Sequence, residues 1–276
     1  MWSAKKPGRP PAVADSCLRM SGQMFPEGCA LIIGGSGGIG GVVAKEFARA
    51  GATVAITYRR NRDKAEDVAA AIHAEGGKVT MHAATTGDRA QIQQMADEVI
   101  AKHGRIHTVV YAAAMLTVQV DIADVTFEQW DEAVQQDVNG FFNVMKATLP
   151  HFRKAGGGSY VNLGSAGDTW WPAKDVLSVA PKGAIEALIR GIAKEEGQHG
   201  IRANTVLVGV IDAGMFHELT KQGAFPPGWV EETQKALALK RWGQPEEIGH
   251  AAVFLASNKG AYITGQQISV AGGYGI

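Results

Sequence analysis

Short apolar runs alternate with longer amphipathic stretches along most of the chain. Ala30–Ile33 is a four-residue apolar run that breaks into glycine, and Val42–Arg49 follows with Val43, Phe47 and Ala48 on one helical face. Thr53–Thr57, carrying Val54 and Ile56, reads as a strand, and Asp63–Ala74 as a helix closed by Gly76-Gly77. The same alternation predicts a strand over Val79–Ala83, a helix over Ala90–His103 closed by Gly104, and a buried strand over Val109–Ala112. Phe127–Ala155 holds a long helix, expected to be interrupted near Pro150 because proline removes a helical donor. Strands at Tyr160–Leu163, Ala203–Val208 and Gln267–Val270 enclose helices at Ser178–His199 and Pro245–Ala256. Residues 1–27 lack this periodicity and carry Pro7, Pro10, Pro11 and Pro26, four of the ten prolines. They are expected to form a flexible tail ahead of one domain spanning 28–276.

Strand and helix in strict alternation, with short connections, imply a parallel sheet covered by helices on both faces. Right-handed crossovers turn that pattern into a single-domain, doubly wound Rossmann fold, with its ligand at the carboxyl ends of the strands. A flavodoxin-like order is the alternative, and the glycine loop after the first strand argues against it. Composition narrows the function. Lys plus Arg and Asp plus Glu are both 27, so the formal charge is zero. No nucleic-acid partner held by a basic face is expected, nor a polybasic membrane contact. Two cysteines, Cys17 and Cys29, are too few for a disulfide scaffold or a structural zinc site. No apolar run is long enough to span a bilayer, and the N-terminus has no apolar segment after its charges, so the expected location is the cytoplasm. The eight histidines show no metal-ligand spacing. His103, His107 and His199 read as solvated or capping residues at element ends.

The chemistry begins at Gly34-Gly35-Ser36-Gly37-Gly38-Ile39-Gly40, where Gly34, Gly38 and Gly40 have the spacing G-x-x-x-G-x-G. A glycine turn between strand and helix lets backbone N–H groups approach a pyrophosphate, with the helix N-terminus behind them. The second strand ends in Thr57-Tyr58-Arg59-Arg60-Asn61. An acidic residue that would hold a ribose 2′-hydroxyl is absent there, and Arg59 and Arg60 instead suit a 2′-phosphate. The expected cofactor is therefore NADP (NADPH), with Arg59 the principal contact.

These residues resemble the short-chain dehydrogenase/reductase family over roughly 29–276. Asp137-Val138-Asn139-Gly140 is similar to the segment carrying the family's active-site Asn, which makes Asn139 the candidate. Tyr160-Val161-Asn162-Leu163-Gly164-Ser165 resembles the strand ending in the catalytic Ser, here Ser165. Gly200-Ile201-Arg202-Ala203-Asn204, Arg241–Ile248 and Ile263-Thr264-Gly265-Gln266 with Gly272-Gly273 match the family's later segments. The resemblance implies a nicotinamide cofactor against Gly34, Ser36, Gly37, Gly38, Ile39, Gly40, Arg59, Arg60, Ala112, Lys182 and Ile211. It also implies a homo-oligomer, tetramer or dimer, built through the two long helices. The departures concentrate at the chemistry. The family's Y-x-x-x-K reads Ser178-Val179-Ala180-Pro181-Lys182, so the lysine is present and the tyrosine is a serine. The segment after the fourth strand is Tyr111-Ala112-Ala113-Ala114 instead of N-N-A-G, Ile33 replaces a threonine before the loop, and Ala213 replaces the threonine near the carboxamide.

A serine hydroxyl is a much weaker acid than a phenol, whose pKa starts near ~10. Direct replacement is expected to lower the acid/base contribution ~10²–10⁴-fold. Ser178 and Lys182 still share one helical face, a turn apart. Three readings follow. The enzyme reduces a conjugated C=C, where hydrogen bonds hold the enolate oxygen and water protonates carbon, as in the dienoyl-CoA reductases of this family that carry Ser-x-x-x-Lys. Alternatively it reduces a carbonyl with an acid from elsewhere, for which Asp168, Lys174, Asp175 and Tyr160 are candidates. Alternatively it is a nucleotide-binding protein of the same fold without dehydrogenase activity, regulatory or lyase-like. Trp170 and Trp171 suit either an apolar substrate face or a subunit contact, and a lid over Met215–Trp229 containing Phe216, Phe225 and Trp229 points to a small apolar or acyl-type substrate.

Overall fold

The computed structural model describes residues 23–276. Seven parallel strands form one sheet in the order β3-β2-β1-β4-β5-β6-β7. They are β1 Cys29–Ile33, β2 Thr53–Tyr58, β3 Val79–Ala83, β4 Ile106–Tyr111, β5 Gly158–Ser165, β6 Ile201–Val208 and β7 Gln267–Val270. The helices are α1 Gly38–Arg49, α2 Arg62–Ala74, α3 Arg89–His103, α4 Phe127–Ala133, α5 Asn139–Lys154, α6 Val176–Glu196, α7 Met215–Lys221, α8 Trp229–Ala236 and α9 Pro245–Ala256. This is the doubly wound α/β architecture expected from the alternation. The chain leaves β1 toward β2 and β3 on one side and returns to β4 on the other, so the switch point lies between β1 and β4.

Both faces of the sheet are buried, which explains why β1 is apolar at all five positions. Leu31, Val109, Tyr160 and Ala203 pack under α3, α5 and α6. Ile32, Val54, Val110 and Val206 pack under α1 and α9. Arg202 ties β6 to the turn after α9, donating to the carbonyls of Leu255, Ala256, Ser257 and Ile263. Asn204 spans Ile263 O and Gln266 N–H. The motif around these two residues is thus structural.

Three expectations change. Residues 1–22 of the expected tail lie outside the described residues, but Phe25 near its end is buried and stacks on Phe47 and His107 at 5.5 and 5.4 Å. His107 is not a solvated end residue: it is 2% exposed within β4, bonds Thr108 Oγ1 at 2.9 Å, and burial pushes its pKa down to about 4. His103 bonds the Thr80 hydroxyl at 2.9 Å. The long helix is not broken at Pro150, which lies inside α5. The carbonyl that Pro150 leaves without a donor belongs to exposed Lys146, where water can serve it. The irregularity is instead a π turn, Val134–Val138, between α4 and α5. Its loosened carbonyls find partners on β4 and in the loop after β3: Tyr111 Oη donates to Gln136 O and Asp137 O, and Thr86 Oγ1 donates to Gln136 O.

Candidate active site

Two cavities open at the carboxyl ends of the strands. The first, about 700 Å³, lies along the β1–α1 loop, the end of β2 and the start of the β4 loop. Gly34, Ser36, Gly37, Arg59, Arg60 and Ala112 line it. The loop is tight because glycine permits it. A Cβ at Gly40 would stand 2.3 Å from Gly34 O, and one at Gly38 would stand 2.7 Å from Gly214 Cα. These two glycines therefore serve packing and do not line either cavity. Gly37, the N-cap of α1, has no side-chain cap, so the first N–H groups of the helix are open. Gly34 N–H donates to Thr57 Oγ1 at 2.9 Å, tying the loop to β2. Arg59 and Arg60 are exposed at the mouth, and among the described residues no acidic side chain pairs with either. An uncapped helix N-terminus and two unpaired guanidinium groups fit the phosphates of a dinucleotide.

The second cavity, about 600 Å³, shares Ala112 with the first and extends toward β5, β6 and the C-terminus. Its walls include Ile39, Ile211, Ser165, Ser178 and Lys182 from the expected site, together with Trp170, Trp171, Phe216, Phe225 and Trp229. The expected lid over Met215–Trp229 forms α7 and the start of α8. Phe225 stacks on Trp229 at 4.0 Å, and Trp242 closes the cluster against Phe216 at 5.3 Å. Trp170 and Trp171 remain more than half exposed at the rim.

At the floor, Lys182 Nζ donates to Ser178 Oγ at 3.1 Å, from one turn further along α6. Ser178 is buried. Ser165 ends β5, and its Oγ accepts from Gly167 N–H at 3.1 Å. The structure separates the two polar residues of the Asp137–Asn139 segment. Asn139 is exposed, and its side chain donates to Gln135 Oε1 at 2.6 Å, away from Lys182. Asp137 faces inward instead: it is 3% exposed, its Oδ2 lies 3.9 Å from Lys182 Nζ, and its Oδ1 accepts from Met115 N–H at 3.2 Å. Asp137 lies in the π turn one residue before its end, α5 begins at Asn139, and the two side chains face different ways.

The four alternative acids separate cleanly. Tyr160 is buried under α5, where its hydroxyl meets Thr148 Oγ1 at 2.7 Å, and Asp168 lines neither cavity. Lys174 and Asp175 do line the second cavity. Burial pushes the Asp175 carboxyl up, while Gln119, donating at 2.8 Å, and Lys182 pull it back. Sequence reasoning missed Tyr274, two residues from the C-terminus, whose side chain lines the same cavity and feels Asp175. Burial raises its phenol above the ordinary value, so it stays protonated at neutral pH.

A family model described as enoyl-(acyl carrier protein) reductase matches residues 34–275. The chain is 33% identical over 248 residues to the uncharacterized oxidoreductase YgfF of Escherichia coli, covering 88% of this chain and 98% of that protein. It is 30% identical to the 3-oxoacyl-[acyl-carrier-protein] reductase FabG of Thermotoga maritima, covering 88% and 96%. A short-chain type dehydrogenase/reductase from Mycobacterium ulcerans superposes with a TM-score of 0.84 at 29% identity, covering 91% and 90% of the two chains. A 7α-hydroxysteroid dehydrogenase complexed with NADH and 7-oxo glycochenodeoxycholic acid superposes at 0.83 with 26% identity, covering 91% and 96%. Sequence, fold and the two adjoining cavities thus agree, and the chain belongs to the short-chain dehydrogenase/reductase family of oxidoreductases, whose members bind nicotinamide cofactors.

Proposed function

We propose that this protein is an NADPH-dependent reductase of a small apolar or acyl-type substrate, acting on a conjugated C=C with Ser178 where the family carries tyrosine. The observation that carries the reading is the Lys182 Nζ to Ser178 Oγ contact of 3.1 Å at the floor of an aromatic-lined cavity. An ammonium group can only donate, so Ser178 Oγ accepts from it and its own O–H is free for a substrate oxygen. A hydroxyl of ordinary acidity can hold an enolate oxygen by hydrogen bonding without surrendering its proton. Ser165 Oγ, also on the cavity wall, offers a second hydroxyl to that oxygen. NADPH, when bound, supplies the hydride.

Arg59 and Arg60, exposed and unpaired among the described residues, are assigned to the 2′-phosphate. Gly34, Ser36 and Gly37 border the pyrophosphate, and Ile39, Ala112, Ile211 and Lys182 the nicotinamide end. Gly38 and Gly40 shape the loop from behind. Self-association as a dimer or tetramer through α5 and α6 is part of the same reading, and Phe142, half-exposed on α5, is an apolar side chain such a contact would cover. We place the protein in the cytoplasm; no helix of the described residues is long and apolar enough to cross a membrane.

Tyr274 favours a second reading, carbonyl reduction with that phenol as acid. Fluorescence titration with NADPH and NADH, followed by NADPH oxidation with an apolar enone, tests the proposal. Tighter binding of NADPH and enone-dependent oxidation are expected. Binding of neither cofactor would refute it and leave a non-dehydrogenase role.

A further inference from the structure

We propose that Asp137 is a positioning residue that fixes the charge of Lys182 and, through it, the direction of the Ser178 hydroxyl. The inference rests on the reading of Ser178 as the group that meets substrate. Asp137 is buried, on the π turn rather than on α6, and lines the first cavity: its Oδ2 is 3.9 Å from Lys182 Nζ, and Nζ to Ser178 Oγ is 3.1 Å. Its other oxygen is fixed by Met115 N–H, and its own backbone carbonyl by Tyr111 Oη. The carboxylate thus cannot swing away from Lys182 without breaking the β4 loop contact.

The Lys182 side chain is only 12% exposed, so the Asp137 carboxylate 3.9 Å away is a charge that faces it inside the protein. An ammonium only donates hydrogen bonds, whereas a neutral amine has a lone pair and accepts them. Ser178 would then donate to Lys182, and its proton would point away from the substrate. A fixed negative charge within 4.0 Å of Nζ opposes that reversal. Burial raises the Asp137 carboxyl overall, while Lys182 and the Met115 N–H pull it back down. The other groups facing the pair are Asp175, at the start of α6, whose carboxyl also feels Lys182, and Tyr111 beneath Asp137. Tyr274 faces Asp175 from the C-terminal segment. Of these, Asp137 is the acid within 4.0 Å of Lys182 Nζ among the described residues.

The test uses the full chain labelled with ¹³C-lysine and followed by NMR from pH 7 to 11, without cofactor or substrate. A wrong assignment of the reaction therefore leaves it intact. The Lys182 Cε signal is identified by its loss in Lys182→Arg. In Asp137→Asn it is expected to titrate at least about one pH unit below the parent, and in Asp137→Glu near the parent. Titration of Asp137→Asn at the parent's pH overturns the proposal. Should the variants not fold, the parent decides alone through its ¹³C-aspartate signals. An ionised Asp137 carboxylate at pH 7 is the expected result, and a protonated one overturns the proposal.

Discussion

Glu186 offers a perturbation whose sign and size follow from its surroundings. It lies on α6 one turn beyond Lys182, is 1% exposed, and its Oε2 accepts from the Gln267 side chain on β7. Its Oε1 has no hydrogen-bond partner and sits directly over Gly164, where any side chain would collide with it. Burial and the neighbouring Asp168 carboxyl push its pKa from 4.5 to about 8. A carboxyl raised in the folded state costs nothing below its unfolded value. Its cost then grows as pH rises and levels off above the folded value. At pH 7 the full difference corresponds to about 3 kcal/mol, at ~1.4 kcal/mol per pH unit above 4.5. Relaxation of the site lowers this, and about 1–3 kcal/mol is the expected range. Glu186→Gln removes the penalty, keeps an acceptor for Gln267, and can place an N–H donor toward Asp168. The variant is predicted to be more stable than the parent by that amount at pH 7–8, and by under ~1 kcal/mol at pH 5. Urea denaturation of both proteins from pH 5 to 8.5, at one protein concentration, measures the difference. A pH-independent difference, or a variant less stable at pH 8, would refute the reasoning.

Arg59→Ala is predicted to weaken NADPH binding ~10–100-fold and leave NADH binding unchanged, read by fluorescence titration. An unchanged NADPH/NADH ratio would remove Arg59 from the phosphate site. Trp229→Ala, which breaks the 4.0 Å stack with Phe225, should raise KM for an apolar substrate ~10-fold with little change in kcat. Tyr274→Phe separates the two chemistries: loss of ketone reduction with enone reduction retained marks the phenol as the acid for carbonyls alone.

The alternation of apolar runs and amphipathic stretches made the sheet and its flanking helices legible, because the central strands are buried on both faces and had to be apolar. The strand at Gln267–Val270 and the helix at Pro245–Ala256 have the bounds the pattern predicts. What periodicity could not reveal was phase. Asp137 and Asn139 are both polar residues near the start of a helix, and only the π turn decides which one meets Lys182. Pro150 carried a strong local signal that solvent access neutralised. Phe25 lay in a proline-rich segment without periodicity, and its burial depends on Phe47 and His107, distant in sequence. Tyr274 follows a pair of glycines at the chain end, where nothing nearby in sequence indicated a cavity. Ser165, Ser178 and Lys182, by contrast, were legible through the resemblance to the family's motifs and line one cavity.

The central claim is that the Ser178–Lys182 pair serves reduction of a conjugated C=C. NADPH oxidation with an apolar α,β-unsaturated ketone and with its saturated counterpart, with product identification, tests it most directly. The predicted result is conversion of the unsaturated member to the saturated ketone, with little consumption of NADPH by the saturated member. Alcohol formed from the saturated ketone, with the unsaturated one untouched at its C=C, would contradict the claim.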